Sequence, residues 1–452
     1  MFERKAMKQL EDWKNASNGS SALLIEGARR VGKSTLCDEF AKANYGKNYK
    51  IIDFKYASAN VAKCFDDVSD LDAFFVSLFL ALGIAPLPKG SLLVFDEVQF
   101  CVKAREAIKL LVLDGRYHYI ETGSLISIKE NSKQIQIPSE EERMELFPMD
   151  FEEFLWAIGK KAKSDLLREI YLDRRYLLDA PASSSLLADL RLYMAIGGMP
   201  QAVSAFVSTN DMSMVERKKR EILGLYEEDL AKVDGSYKTN TRAIYDLLPT
   251  LMARQSGKTP LNLLGIDPRT SLFHSTKEKA SESKIFSLVP RTANFEVGLK
   301  SGVDPSAFKV YMNDIGLGLS HYYGLTVADA RSFYSKFLSD ELRSNEGYLY
   351  ENLLCQMLRA SGHSLYYGYW SENSGTKEKP VLSYYEIDFL FSKYGKVQPI
   401  ECKSSSTKRA NSLTRFKARF SDFSRKPIVV SNKPFQEDES KVNVPFYMAF
   451  LL

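Results

Sequence analysis

The sequence has little with which to bind a structural metal or form a disulfide framework. Its four histidines and five cysteines (Cys37, Cys64, Cys101, Cys355 and Cys402) are scattered along the chain. Without CxxC or mixed Cys/His spacing, neither a zinc site nor a set of bridges is indicated. An odd, dispersed set of thiols fits a reducing, cytoplasmic compartment. The net charge is only +4 over 452 residues, so any nucleic-acid affinity must come from local clusters of Lys and Arg. The one long apolar run, AFFVSLFLALGIAPLP, is closed by Pro86 and Pro88. It falls short of the ~20 residues of a membrane span and reads as a buried helix. The opening MFERKAMKQLEDWKN is charged throughout and carries Met7, Leu10 and Trp13 at helical spacing, an amphipathic helix and not a signal peptide. No membrane association is expected.

What is present describes an ordinary globular chain, 45% hydrophobic and 26% charged. Its length is roughly three times the ~150-residue domain prior, so two or three domains are expected. From Ala22 to about Ile128, the candidate strands ALLIEG, YKIIDF, SLLVFDEV and YHYIETGS alternate with helix-length segments, the pattern of a parallel α/β sheet. From FPMDFEEFLWAIG to about Asp234 the period is helical, with a break at Gly197 to Pro200. Between Thr239 and Thr292, TRAIYDLLPTLMARQSG reads as a helix, HSTKEKASESK as a loop and IFSLVP as a strand. A helix pair with a wing would fit, and so would a plain connector. From Phe308 onward, FKVYMNDIGLGL, LYENLLCQMLRASG, SLYYGYW, YEIDFLFS, VQPIECK, SLTRFKARF and KPIVVS make a second α/β unit.

GARRVGKST lies between the strand ALLIE and the helical TLCDEFAKANY, which fits GxxxxGK[ST] in its required context. Gly27, Ala28, Arg29, Arg30, Val31, Gly32, Lys33, Ser34 and Thr35 would form a backbone cradle for the phosphates of ATP at a helix N-terminus. Lys33 would reach the β- and γ-phosphates, and the Ser34 hydroxyl would take a Mg2+ position. In SLLVFDEV, apolar residues carry Asp96 to a strand end, where it can support Mg2+. Glu97 then lies beside the γ-phosphate to orient the attacking water. The alternative reading of the loop is a surface glycine turn. Thr122 and Ser124 of YIETGS could sense the γ-phosphate or simply form a turn. Arg143 and Arg116 are candidates for completing charge neutralisation, although each taken singly reads as a solvated surface side chain.

With these motifs in place, the chain resembles a widespread group of prokaryotic AAA+-like ATPases with a restriction-endonuclease-like C-terminal domain. The resemblance runs in order through GARRVGKST, FDEVQ, TGS, LFPMDFEEF, GGMPQAV, YMNDIGL, YENLL, EIDFLF and IECKS. It implies an α/β architecture in four parts. These are a P-loop ATPase domain at 1–150, a helical lid at 151–235, a winged-helix-like connector at 236–300 and a PD-(D/E)XK nuclease-like domain at 301–452. The family often has a Gly-Arg pair before its Pro-x-x-Phe stretch, whereas here Arg143 follows Glu142.

In YYEIDFLFSKYGKVQPIECKSSS, Asp388 lies on one candidate strand and Glu401 and Lys403 on the next, joined through a turn near Tyr394 and Gly395. Alternation places Glu401 and Lys403 on one face. Carboxylates at Asp388 and Glu401 could place Mg2+ beside a scissile phosphate, with Lys403 helping to activate water or balancing charge, and Glu351 on the preceding helix matches the fourth acid of such nucleases. The same residues also fit a structural ion-pair cluster left after chemistry is lost. Beyond them, Leu413, Phe416 and Phe420 share an apolar helix face, while Lys408, Arg409, Arg415, Lys417 and Arg419 point elsewhere. Those basics fit a phosphate backbone or a solvated surface. Tyr366, Tyr367, Tyr369 and Trp370 fit strand packing better than base stacking.

The expectation is an ATP-hydrolysing switch that uses ATP and Mg2+ and governs a nuclease-like domain associated with DNA. The alternative is a nucleotide-controlled module that recognises a protein partner without cutting. A metabolic kinase would leave the C-terminal third unexplained.

Overall fold

The computed structural model describes residues 2–123, 140–174, 178–253, 263–296, 298–342, 346–373, 381–404 and 411–452. It forms two compact units. The first comprises Met1–Phe147 with Glu282–Lys284, and the second Pro148–Ser281 with Ile285–Leu452.

The first unit is built on five parallel strands: β1 (Ala22–Glu26), β2 (Tyr49–Asp53), β3 (Leu92–Asp96), β4 (His118–Gly123) and β5 (Glu141–Glu145). Their spatial order is β2-β3-β4-β1-β5, and every pairing is parallel. The first four coincide with the apolar runs of the sequence, because a central parallel strand is buried on both faces. Every residue of β1 and β3 is buried. The fifth, EERME, has no apolar run to announce it; it pairs with β1 on one side only, and its single apolar residue, Met144, is buried. The run read as a buried helix is Leu71–Leu82. It buries Phe74, Phe75, Leu78 and Phe79 but leaves Leu80 75% exposed. The amphipathic N-terminal helix is Ala6–Ser17, with Leu10 and Trp13 inward.

In the second unit a series of helices precedes and partly surrounds an eight-stranded mixed sheet. The strands are β6 (Phe286–Thr292), β7 (Val303–Met312), β8 (Tyr366–Asn373), β9 (Leu382–Lys393), β10 (Lys396–Lys403), β11 (Ile428–Ser431), β12 (Gln436–Glu437) and β13 (Val442–Pro445), in the order β12-β13-β11-β10-β9-β8-β6-β7. The strand IFSLVP, which the sequence associated with a connector, is thus part of this sheet. The stretch HSTKEKASESK, expected as a loop, lies largely in the helix Ser271–Glu282. Phe273, Thr276 and Ala280 are fully buried at i, i+3 and i+7, so a helical stripe exists although one of its members is polar.

Three separated sequence motifs meet inside this unit. Met149 N–H donates to Gly198 O at 2.8 Å, Gly198 N–H donates to Asp314 Oδ2 at 2.6 Å, and Tyr193 Oη donates to Met149 O at 2.7 Å. A Cβ on Gly198 would lie 1.9 Å from the Met149 carbonyl oxygen, and one on Gly316 would lie 2.4 Å from Gly197 N. Glycines here permit backbone to touch backbone.

Candidate nucleotide site and nuclease-like cluster

β1 ends at Glu26, and the chain turns through the glycine loop into the helix Lys33–Tyr45. Gly32 adopts φ 104° immediately before the helix. At Gly27 a Cβ would come within 2.5 Å of Leu146 O. Both positions therefore require glycine. The first helical turn holds no acid, which leaves its N–H groups and dipole suited to an anion. Lys33 is 6% exposed, and its Nζ donates to Gly27 O at 3.0 Å and Ala28 O at 3.2 Å. Burial lowers its pKa, with Glu97 and Asp96 opposing the shift.

The strand order brings β3 and β4 to the same carboxyl edge as β1. Ser34 Oγ donates to Asp96 Oδ1 at 3.0 Å, and the Thr122 hydroxyl donates to the same oxygen. Glu97 N–H donates to Thr122 Oγ1 at 3.1 Å, holding Glu97 at φ 54°, while Gln99 Nε2 donates to Glu97 Oε2. A hydroxyl and a buried carboxylate already in contact fit Mg2+, an oxygen-seeking ion. The expected loop residues and both acids thus lie at one sheet edge, with Thr122 joining them; Ser124 lies outside the described residues.

The two arginines are engaged elsewhere. Arg143 Nε donates to Glu141 Oε1 at 3.0 Å and its guanidinium lies 3.6 Å from Glu26. Arg116 pairs with Asp114 and Asp72, each at 2.7 Å. It stands just before β4, at the amino end of the strands, opposite the loop. A local charge count in the sequence cannot reveal such pairing.

In the second unit the hairpin is as the turn residues suggested. Tyr394 at φ 50° and Gly395 at φ 73° give the two left-handed positions of a tight hairpin, and Ile400 pairs with Phe389. Asp388 Oδ2 accepts the Cys402 N–H at 2.8 Å. Lys403 Nζ lies 2.5 Å from Glu401 Oε1, while Glu401 Oε2 is buried with no hydrogen-bond partner among the described residues. Burial, with Asp388 nearby, pushes the Glu401 carboxyl up to about 8. Glu351, on the helix Glu346–Ala360, accepts from Tyr311 Oη at 2.8 Å.

Two residues at this cluster were not singled out in the sequence. Lys309 on β7 is 2% exposed, and its Nζ lies 2.9 Å from Glu386, 3.5 Å from Asp388 and 3.6 Å from Glu351. Burial disfavours its charge, but the three carboxylates outweigh burial and hold its pKa well above the usual value. The signal was a lysine within the apolar FKVYM; what faces it was not readable. For Mg2+ the fit is poor. Of the four oxygens of Asp388 and Glu401, three already face a backbone N–H or a lysine ammonium, and Glu401 Oε2 has no hydrogen-bond partner among the described residues. Among the described residues no three His, Cys, Asp or Glu side chains come together to hold a metal.

The basic helix is Asn411–Phe420, with Leu413 and Phe416 buried. Lys417 donates to Glu439 O at 3.0 Å and Arg415 lies 3.8 Å from Glu372; Lys408 and Arg409 lie outside the described residues. Trp370 packs on Phe295, Phe416 and Tyr385, so this part of the aromatic cluster is used in packing. No helix among the described residues is long and apolar enough to cross a membrane.

Residues 19–155 match a family model described as an AAA domain. Residues 187–326 and 346–449 match two models described as domains of unknown function, DUF8612 and DUF4143. No curated protein matches the chain. Similar solved structures include the Aeropyrum pernix ORC2 protein in its ADP form, at 13% identity and TM-score 0.31, covering 75% of this chain and 94% of that one. The Aeropyrum pernix ORC1 protein in complex with DNA aligns at 13% identity and TM-score 0.27, over 75% and 93%. A STAND protein from Pyrococcus horikoshii with a tetratricopeptide repeat sensor aligns at 10% identity and TM-score 0.28, over 80% and 48%. Such low scores bear no functional weight; the matched domain and its loop geometry do. The segment 19–155 is an AAA-type P-loop ATPase domain, joined in one chain to two domains of unknown function.

Proposed function

We propose that the chain is an ATP-hydrolysing switch whose nucleotide state governs a nuclease-like C-terminal domain associated with DNA. The observation that carries the first half is the convergence of Ser34 and Thr122 on Asp96, with Glu97 fixed beside them. In this reading the loop from Gly27 to Thr35 binds ATP and Lys33 moves from the loop carbonyls to the phosphates. Ser34 and Asp96 would hold Mg2+, which would supply charge balance at the phosphates, and Glu97 would orient water for attack. Asp388, Glu401, Lys403 and Glu351 are the nuclease-like set.

A second reading, a protein-binding module with no cleavage, is favoured by the ammonium of Lys309 among the acids. Two assays separate them. ATP turnover should be lost in Lys33→Ala and Glu97→Gln; full turnover in Lys33→Ala would refute the switch. Plasmid and single-stranded DNA are then incubated with Mg2+ or Mn2+, with and without ATP. Cleavage abolished by Asp388→Ala and Lys403→Ala supports the nuclease, whereas intact turnover without cleavage leaves the binding module.

A further inference from the structure

Lys309 comes from β7, although β6 and β8 separate that strand from β9 in the sheet order. The pairing of β6 with β8 is confined to Arg291 with Tyr367 and Thr292 with Gly368. Even so, the lysine of β7 meets carboxylates from two elements, Glu351 of the helix and Glu386 and Asp388 of β9. The Tyr367 ring, 5.4 Å from Nζ, covers the ammonium, and Tyr311, two residues along the same strand, donates to Glu351. Removing water from three carboxylates is costly unless a cation compensates them. A lysine at this distance does so without leaving a coordination shell open.

We infer that Lys309 is the resident cation of this cluster, filling with an ammonium the counter-charge role that a divalent ion has in a nuclease. The inference deepens the non-cleaving reading of the domain. It also predicts a gain of function. As they stand around the ammonium these acids do not assemble a metal site; once it is gone, Glu351, Glu386 and Asp388, each within 3.6 Å of the place it held, can close on a divalent ion, which takes carboxylate oxygens.

The test uses the full chain with Ser34→Ala and Asp96→Asn as background, so that the nucleotide site contributes no metal ligands. Mn2+ binding is followed by electron paramagnetic resonance after removal of metal with EDTA. The background protein should bind none, and adding Lys309→Met should create a site, lost again on adding Glu386→Gln. If the lysine variant is unfolded without metal, refolding on addition of Mn2+ is the same supporting result. Failure of Lys309→Met to gain Mn2+ by either readout overturns the inference. So does Mn2+ binding by the background protein that Asp388→Asn or Glu401→Gln abolishes. Cleavage and ATP turnover, measured on chains with an intact nucleotide site, report separately on the proposed function.

Discussion

The Thr122 hydroxyl ties together the two acids at the end of β3: it donates to Asp96 Oδ1, in the strand's last residue, and accepts the backbone N–H of Glu97, the next residue, at 3.1 Å. Glu97 is a non-glycine residue in the left-handed region, a conformation that persists only where its surroundings enforce it. Thr122→Val keeps the shape and removes both bonds. ATP turnover should fall by roughly tenfold or more with KM for ATP little changed, the signature of lost positioning rather than lost binding. Steady-state kinetics on the variant would check this; a rise in KM alone would speak against it.

Gly198→Ala should be severely destabilising. Its Cβ would stand 1.9 Å from the Met149 carbonyl oxygen and 2.7 Å from Met149 N, so rigid backbone would have to move. The expected loss is about 3 kcal/mol or more, typical of overpacking at a close backbone approach. Urea unfolding followed by tryptophan fluorescence would measure it.

Lys219 and Glu216 form a fully buried pair at 3.3 Å. Lys219 Nζ also donates to Ala195 O at 2.7 Å, while Glu216 accepts from Ser320 and Tyr334, each at 2.7 Å. Lys219→Met would leave Glu216 with the partly exposed Arg220 as its remaining cation. A loss of about 3 kcal/mol is expected. Adding Glu216→Gln should restore part of it, because the uncompensated buried charge is then gone. A double-mutant cycle in denaturant would read the coupling.

His118 gives a pH dependence. Its Nδ1 is 2.7 Å from Tyr45 Oη, and burial, aided by Lys14, lowers its pKa from the ordinary 6.5. The unfolded chain therefore takes up this proton at higher pH than the folded one. The stabilising contribution is complete above about pH 6.5 and is lost as pH falls toward the lower folded value. Melting temperatures at pH 7 and pH 5 should differ less in His118→Gln than in the parent protein.

The first unit was largely legible because its signals are local. A doubly buried strand is an apolar run, and a phosphate loop is a short string of glycines, lysine and serine. β5 escaped because a polar edge strand carries no such run, and the helix Ser271–Glu282 because its buried stripe includes Thr276. In the second unit the hairpin was readable from Tyr394 and Gly395. Of the companions of Asp388, Glu401 and Lys403 were readable on that hairpin and Glu351 on the helix before it, whereas Glu386, on the hairpin itself, and Lys309, on a distant strand, were not.

By itself, the sequence determined what each segment can do nearby: Gly32 turns, Lys33 follows it, Asp96 ends a buried strand, and Glu401 and Lys403 share a face. Tertiary structure alone decided which distant groups meet. Strand order placed Thr122 against Asp96 and Glu97, ion pairs committed Arg143 and Arg116, and the folded sheet brought Lys309 to Glu386 and Asp388. The reason is physical. Turn and strand preferences act over a few residues, whereas a charge is matched by whatever the folded sheet sets beside it, and that partner lies 77 positions away for Lys309 and Glu386, the difference of their residue numbers.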